Sequence, residues 1–403
     1  MGRSRLPLAF VVAVAAAAAA TFLLRPRSGL IQPAPVEAQQ YFTALQLDRA
    51  EDYRSLQRVL GLAGLGIGIG TLAVLAWRPP GRLWRRLEAR PLLGGAAAGA
   101  GISLVLVVTG LPVRAWMRQR ALDVGLATQS WPDWAVDVLK AGGIGAVTAA
   151  VGGLVAIALV RRFPRGWWVP AAVVVLAYGA VTIWLYPVLI DPVFNDFERL
   201  PNGELRSDVL RLADRAGVDV GEVYRVDASR RTSAANAYVI GLGHSKRVVL
   251  YDNLIEDFPP AEVRTVVAHE LGHQKHDDLL RGLSWLAIVA PAGTFLVQAL
   301  SERFAPRERL GTPAALPAIA LAIALVSLVL GWASNILSRR VEARADSFAL
   351  QLTGDSKDFI AFQRRLAVQN ISDPEPPELL HVLFDTHPTT LERIGAGEAF
   401  RSR

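Results

Sequence analysis

The chain has 403 residues, 52% of them hydrophobic, with 43 Lys and Arg against 36 Asp and Glu for a net charge of +7. Its length would allow two or three soluble domains, but the apolar residues gather into long uncharged blocks and mean hydropathy is +0.31, which excludes that organisation. There is no cysteine, so disulfides, iron–sulfur clusters and thiolate zinc sites are excluded, and any zinc must be held by histidine and carboxylate.

In chain order, seven blocks have the length needed to cross a bilayer: 6–24, 59–77, 92–113, 141–160, 167–190, 283–300 and 313–337. Several are rich in Ala and Gly, which lets helices approach closely. The first carries Arg3 and Arg5 ahead of an alanine-rich core, in the manner of a signal peptide. No clear cleavage site precedes Arg25, so it is read as a membrane helix. Residues 25–58 and 114–140 read as polar loops, the first with a helix around 41–60. Residues 191–260 are polar. There GELRSDVLRLADRAGV has the periodicity of an amphipathic helix, and VGEVYRVDAS, AANAYVIGL and KRVVLYDNLI read as strands of a small antiparallel sheet. Gly241, Gly243 and Ser245 supply the turn between the last two. Enzymes that cut extended peptides bind them as an added strand on a sheet edge, and Asn236-Ala237-Tyr238 is the candidate edge. The same run reads equally as an ordinary core strand.

The next stretch is His269-Glu270-Leu271-Gly272-His273. On a helix, histidines four apart lie one above the other and grip one ion, zinc being the usual occupant. On a strand they would stand about 13 Å apart, too far for one metal. Pro259 and Pro260 suit a first helical turn, and Val263, Val266, Val267 and Leu271 form an apolar stripe at helical spacing. Glu270 is placed to take a proton from a metal-bound water without joining the metal.

A catalytic zinc needs a third protein ligand. His276 lies seven residues beyond His269, about 10.5 Å along the axis, so one helix cannot supply all three. Asp277 and Asp278 fail for the same reason and are expected to pair with nearby basic residues or cap the helix end. The sixth and seventh spans form a hairpin whose far end carries Glu342 and, four residues on, Asp346. Glu342 is the expected third ligand, and Asp346 is expected to accept the free ring N–H of a liganding histidine. His387, before Pro388, reads either as an oxyanion donor near the metal or as a plain loop histidine.

With AANAYVIG, KRVVLYDNLI, VVAHELGH, NILSRRVEARAD and THPTTLERI in this order, the sequence resembles the type I CAAX prenyl proteases, integral-membrane zinc metallopeptidases. The resemblance implies Zn2+ on His269, His273 and Glu342, with Glu270 as base and Asp346 behind a ligand. It also implies a substrate cleft lined by Asn236 and Ala237 and approached by His387 and Arg393. The implied fold is mainly α and polytopic: seven transmembrane helices around a chamber, with a small α+β zinc-peptidase domain. The expected division is 1–190 for the first five spans, 191–282 for the sheet and metal helix, 283–337 for the last two spans, and 338–403 for the third-ligand helix and tail.

The expected activity is zinc-assisted hydrolysis of membrane-associated or CAAX-type peptides. The rival reading is a non-catalytic channel, carrier or scaffold with a structural metal, which leaves Glu270 without a use. The expected partners are a peptide or membrane-protein substrate and the lipid bilayer. Nucleic acid is not expected, since no basic surface with interleaved aromatics lies away from the membrane. Thirteen basic residues sit in the short segments on one side of the spans and nine in the longer loops on the other. By the positive-inside rule this puts the zinc domain outside the cytoplasm, although eukaryotic relatives face the cytosol. The outside placement is the one adopted.

Overall fold

In a computed structural model, which describes residues 5–78, 81–241 and 246–402, seven helices are long and apolar enough to cross a membrane. Helix α1 is Arg5–Leu24; Arg3 lies outside the described residues. Helix α2 runs Ala44–Trp77 and opens on a capping box between Thr43 and Gln46, which satisfies two otherwise orphaned N–H groups. The polar helix expected around 41–60 is therefore the first part of the second span, continued out of the membrane. Helices α3 (Gly81–Glu88), α4 (Pro91–Asp123) and α5 (Trp131–Arg162) follow, and the polar loop expected at 114–140 shrinks to the residues between α4 and α5. Ser130 caps α5 by accepting from the Asp133 N–H, with Pro132 in the first turn. Helix α6 (Trp168–Leu185) continues through a π-helical turn, Tyr186–Ile190, into the short α7, Asp191–Phe194.

The polar unit begins with β1 (Phe197–Arg199) and α8 (Glu204–Ala216), which ends at Gly217 in the left-handed region. Strands β2 (Glu222–Val226), β3 (Ala237–Ile240) and β4 (Arg247–Tyr251) complete a sheet of order β1-β2-β4-β3. The sheet is mixed rather than antiparallel: β4 pairs parallel with β2 and antiparallel with β3. Its run of Val248, Val249 and Leu250, all fully buried, marks a strand covered on both faces. Of the expected turn, Gly243 and Ser245 lie outside the described residues. The remaining helices are α9 (Asp252–Asp257), α10 (Pro260–Lys275), α11 (Asp278–Phe304), α12 (Leu316–Thr353), α13 (Ser356–Gln369), α14 (Glu378–Phe384) and α15 (Thr390–Arg401).

The spans close on themselves. Helix α2 packs on α4, α4 on α5, α5 on α6, α6 on α11, α11 on α12, and α12 back on α2, while α1 buttresses α11 and α12. The six helices thus form a closed circuit, across which α12 also touches α4 and α5. Helix α12 starts in the ring and ends in the polar unit, where it lies along α10. Gly272 permits that approach: a Cβ there would stand 3.3 Å from Ala345 Cα and 3.1 Å from the Phe348 ring. The glycine inside the histidine motif thus sets the distance between the two helices that meet at the site.

Candidate metal centre

Three side chains converge where α10 meets α12. His269 Nε2 lies 3.2 Å from His273 Nε2 and 3.1 Å from Glu342 Oε2, and His273 Nε2 is 3.5 Å from Glu342 Oε1. Tetrahedral ligands held about 2 Å from one ion stand about 3.3 Å apart, so this spacing fits a single metal. The outer ring nitrogens are also fixed. His269 Nδ1 faces Asp346 Oδ1 at 2.9 Å and His273 Nδ1 faces Asp278 Oδ2 at 3.0 Å. With each Nδ1–H donated to a carboxylate, both Nε2 lone pairs and the Glu342 carboxylate aim at one point. Three acceptors around one point require a cation. Among the described residues, these three form the group able to hold one.

Charge explains how the cluster is held. Arg393 clamps Asp346 with two bonds, Nε to Oδ2 at 2.9 Å and Nη2 to Oδ1 at 2.6 Å, and Asp346 is itself only 1% exposed. Asp278 is paired with Arg344 and, at 3.2 Å, with Arg281 Nε. Burial disfavours a charged His269, but Asp346 and Glu342 outweigh it and raise the ring to about 8. Burial opposes charge on His273 too, and there Asp278 and Glu342 prevail, raising it to about 10. Burial likewise works against Arg393, yet Asp346 holds its pKa above the ordinary value.

Glu270, beside the first histidine, has its pKa raised mainly by burial and makes no hydrogen bond to another described residue. His387, in the loop before α15, places Nε2 3.4 Å from Glu342 Oε2, with Nδ1 against Thr386 Oγ1 at 2.9 Å. Its pKa is drawn below the ordinary value by desolvation, with Glu342 opposing, although the side chain is 56% exposed. Ala237 opens β3, which lies at the edge of the sheet, and the exposed Asn236 immediately precedes it. The β4 pairing turns the backbone N–H and C=O groups of Ala237 and Val239 away from β4, and the Val239 carbonyl accepts from Gln274 Nε2, one residue past the second histidine, at 3.3 Å. A cavity of about 720 Å³ is lined by Glu222 and Tyr224 of β2, Ile240 of β3 and Arg247 of β4, together with Trp184 and Val188.

Residues 199–399 match the profile of Peptidase family M48, and residues 31–196 match the CAAX prenyl protease N-terminal profile of five membrane helices. A Bacillus subtilis protein described as an uncharacterized metalloprotease, YhfN, is 32% identical over 304 residues, covering 74% of this chain and 71% of its own. The chain belongs to peptidase family M48. An Arabidopsis thaliana CAAX prenyl protease 1 homolog is 33% identical over 222 residues, which span 54% of this chain and 52% of that protein. The crystal structure of S. mikatae Ste24p shares the fold, with a TM-score of 0.78 over 96% of this chain and 97% of that one at 20% identity.

As an M48 member the chain is a multi-pass membrane metalloprotease, which removes the non-catalytic channel, carrier or scaffold reading. Sequence reasoning missed the part played by Asp278. It was set aside as a ligand and expected only to pair with basic residues or cap a helix; it does meet Arg281 and Arg344, and it also fixes His273. Asp277, at φ 50, reverses the chain there and brings Asp278 back over the preceding helix. Asp is among the few non-glycine types enriched in that region, a signal too weak to announce the reversal from sequence. Arg393 meets Asp346 rather than standing free.

Proposed function

We propose that this M48 chain is an integral-membrane zinc endopeptidase that cuts membrane-associated or CAAX-type peptides. The observation that carries the reading is the convergence of His269, His273 and Glu342 beside an unpaired Glu270. A bound Zn2+ would supply Lewis-acid chemistry, lowering the pKa of a water and polarising the scissile carbonyl. Glu270 takes the proton of the attacking water, since its carboxylate has no competing hydrogen bond, and delivers it to the leaving amine nitrogen. His387 donates through Nε2–H to the developing oxyanion. Asp346 and Asp278 keep the two rings in the tautomer that points Nε2 inward.

The substrate lies as an added strand along β3, pairing with the outward backbone groups of Ala237 and with the Val239 N–H, and touched by Asn236. Arg393 shapes the site through Asp346. In this reading the chain works in four parts: 1–190 and 283–337 form the membrane chamber, and 191–282 and 338–403 form the peptidase unit. The zinc unit faces away from the cytoplasm of the cell membrane. Peptide cleavage by purified protein tests the chemistry. Glu270→Gln should retain one zinc per chain yet lose hydrolysis by at least about 100-fold, the size of a general-base contribution; near-normal turnover would sink the mechanism.

A further inference from the structure

Behind the metal centre runs a short stretch of chain that neither matched profile covers in full: residues 199–399 and 31–196 are matched, and the stretch begins at Leu24. It leaves the end of α1, turns at Gly29 (φ +77), and crosses the back of the peptidase unit before α2. Three anchors hold it. The Leu24 carbonyl accepts from Arg281 Nη1 at 2.6 Å, the Ile31 N–H donates to Ser347 Oγ at 2.9 Å, and the Ala34 N–H donates to the Gly395 carbonyl at 3.0 Å. Ile31 is 3% exposed and shares one buried core with Val263, Val266 and Leu271 of the metal helix.

Each anchor lies one step from a support of a metal-facing histidine. Arg281 also donates from Nε to Asp278, the partner of His273. Ser347 adjoins Asp346, the partner of His269, and Gly395 is two residues from Arg393, which clamps Asp346. The fit at the last anchor is close, since a Cβ on Gly395 would run into the Ala34 carbonyl.

We propose that Leu24–Ala34 is a positioning strap for the metal centre, fixing the carboxylates that orient both histidine rings, with Arg281, Ser347 and Gly395 as its positioning residues. A ring that loses its carboxylate partner binds metal about 10–100-fold more weakly. Loosening the strap at Ser347 or Gly395 acts one bond further away, so the expected loss is roughly 10-fold, at the low end of that range, whereas Arg281→Gln also removes a direct bond to Asp278.

The inference rests on the metal-centre reading, and the test separates the two. Full-length protein in detergent is prepared as wild type, Arg281→Gln, Ser347→Ala and Gly395→Ala, none of which removes a metal-facing group. Zinc affinity is measured against a competing chelator, the visible spectrum is recorded with Co2+ in place of Zn2+, and the melting temperature is followed alongside. The strap predicts weaker zinc binding and a changed Co2+ spectrum in at least two folded variants. Lower melting temperatures with unchanged affinity and spectrum would mean that the segment only adds stability, and would overturn the proposal. Wild type that binds no zinc would instead overturn the metal-centre reading beneath it.

Discussion

At the scale of single residues, protons and metal compete for one set of ring nitrogens. His273 rises from 6.5 to about 10 and His269 from 6.5 to about 8, because carboxylates surround both. A folded pKa above the unfolded value adds stability that is fully present below about 6.5 and is lost as pH rises through the folded value. Metal-free protein should therefore melt at falling temperatures between pH 6.5 and 10. Metal needs the neutral rings, so its affinity should rise across the same window, with protons released on binding. Titration calorimetry in buffers of different ionisation enthalpy counts those protons, and a pH-independent affinity would contradict the argument. The convergence of His269, His273 and Glu342 was legible because the two histidines obey helical spacing and the hairpin of the last two spans returns Glu342 to them. Asp278 was not legible as a partner of His273, because that contact depends on a chain reversal at Asp277 rather than on any spacing.

At the scale of elements, glycine decides how the ring closes between α4 and α5. A Cβ on Gly99 would strike the Ala149 carbonyl, and one on Gly153 would strike the Gly95 carbonyl, whereas Gly152 faces open space. Close backbone approach of this kind takes the place of the hydrophobic drive that lipid removes. Gly153→Leu should lower the melting temperature in detergent, at a cost of about 1–3 kcal/mol as overpacking goes, and Gly152→Leu should leave it nearly unchanged. Equal effects of the two would mean that the seam is not tightly packed. Composition showed the spans and their small residues well. It could not show where α2 begins or α4 ends, because the polar part of each continues the helix, in α4 even past Pro112. Nor could it order the sheet: the hairpin of β3 and β4 inserts β4 beside β2, and strand order is a long-range choice that alternation along one strand does not encode.

At the scale of the whole molecule, the two rims of the ring use their basic residues differently. On the peptidase rim, many are committed to protein carbonyls or carboxylates. Arg54 donates to Ile371 and Asn370, Arg58 pairs with Asp373, Arg118 and Arg120 donate to Gln129 and Asp52, Arg49 to Val124 and Lys140 to Val193. The opposite rim carries Arg78, Arg85, Arg86, Arg90, Arg162 and Arg165 in short connections, and Arg161 there reaches the Gly311 carbonyl across the rim. Basic residues in short connections next to span ends meet anionic headgroups and mark the cytoplasmic face. Bonds to carbonyls leave the charge on those side chains, so the bias between the faces stays at the count of thirteen against nine. The outside placement of the metal centre follows as a prediction. A reporter that works only outside the cytoplasm, fused after Arg403, should be active in whole cells, and a reporter that works only in the cytoplasm should be silent at the same junction. The reverse pattern would place the peptidase unit on the cytosolic side and leave the opposite rim's arginines facing outward.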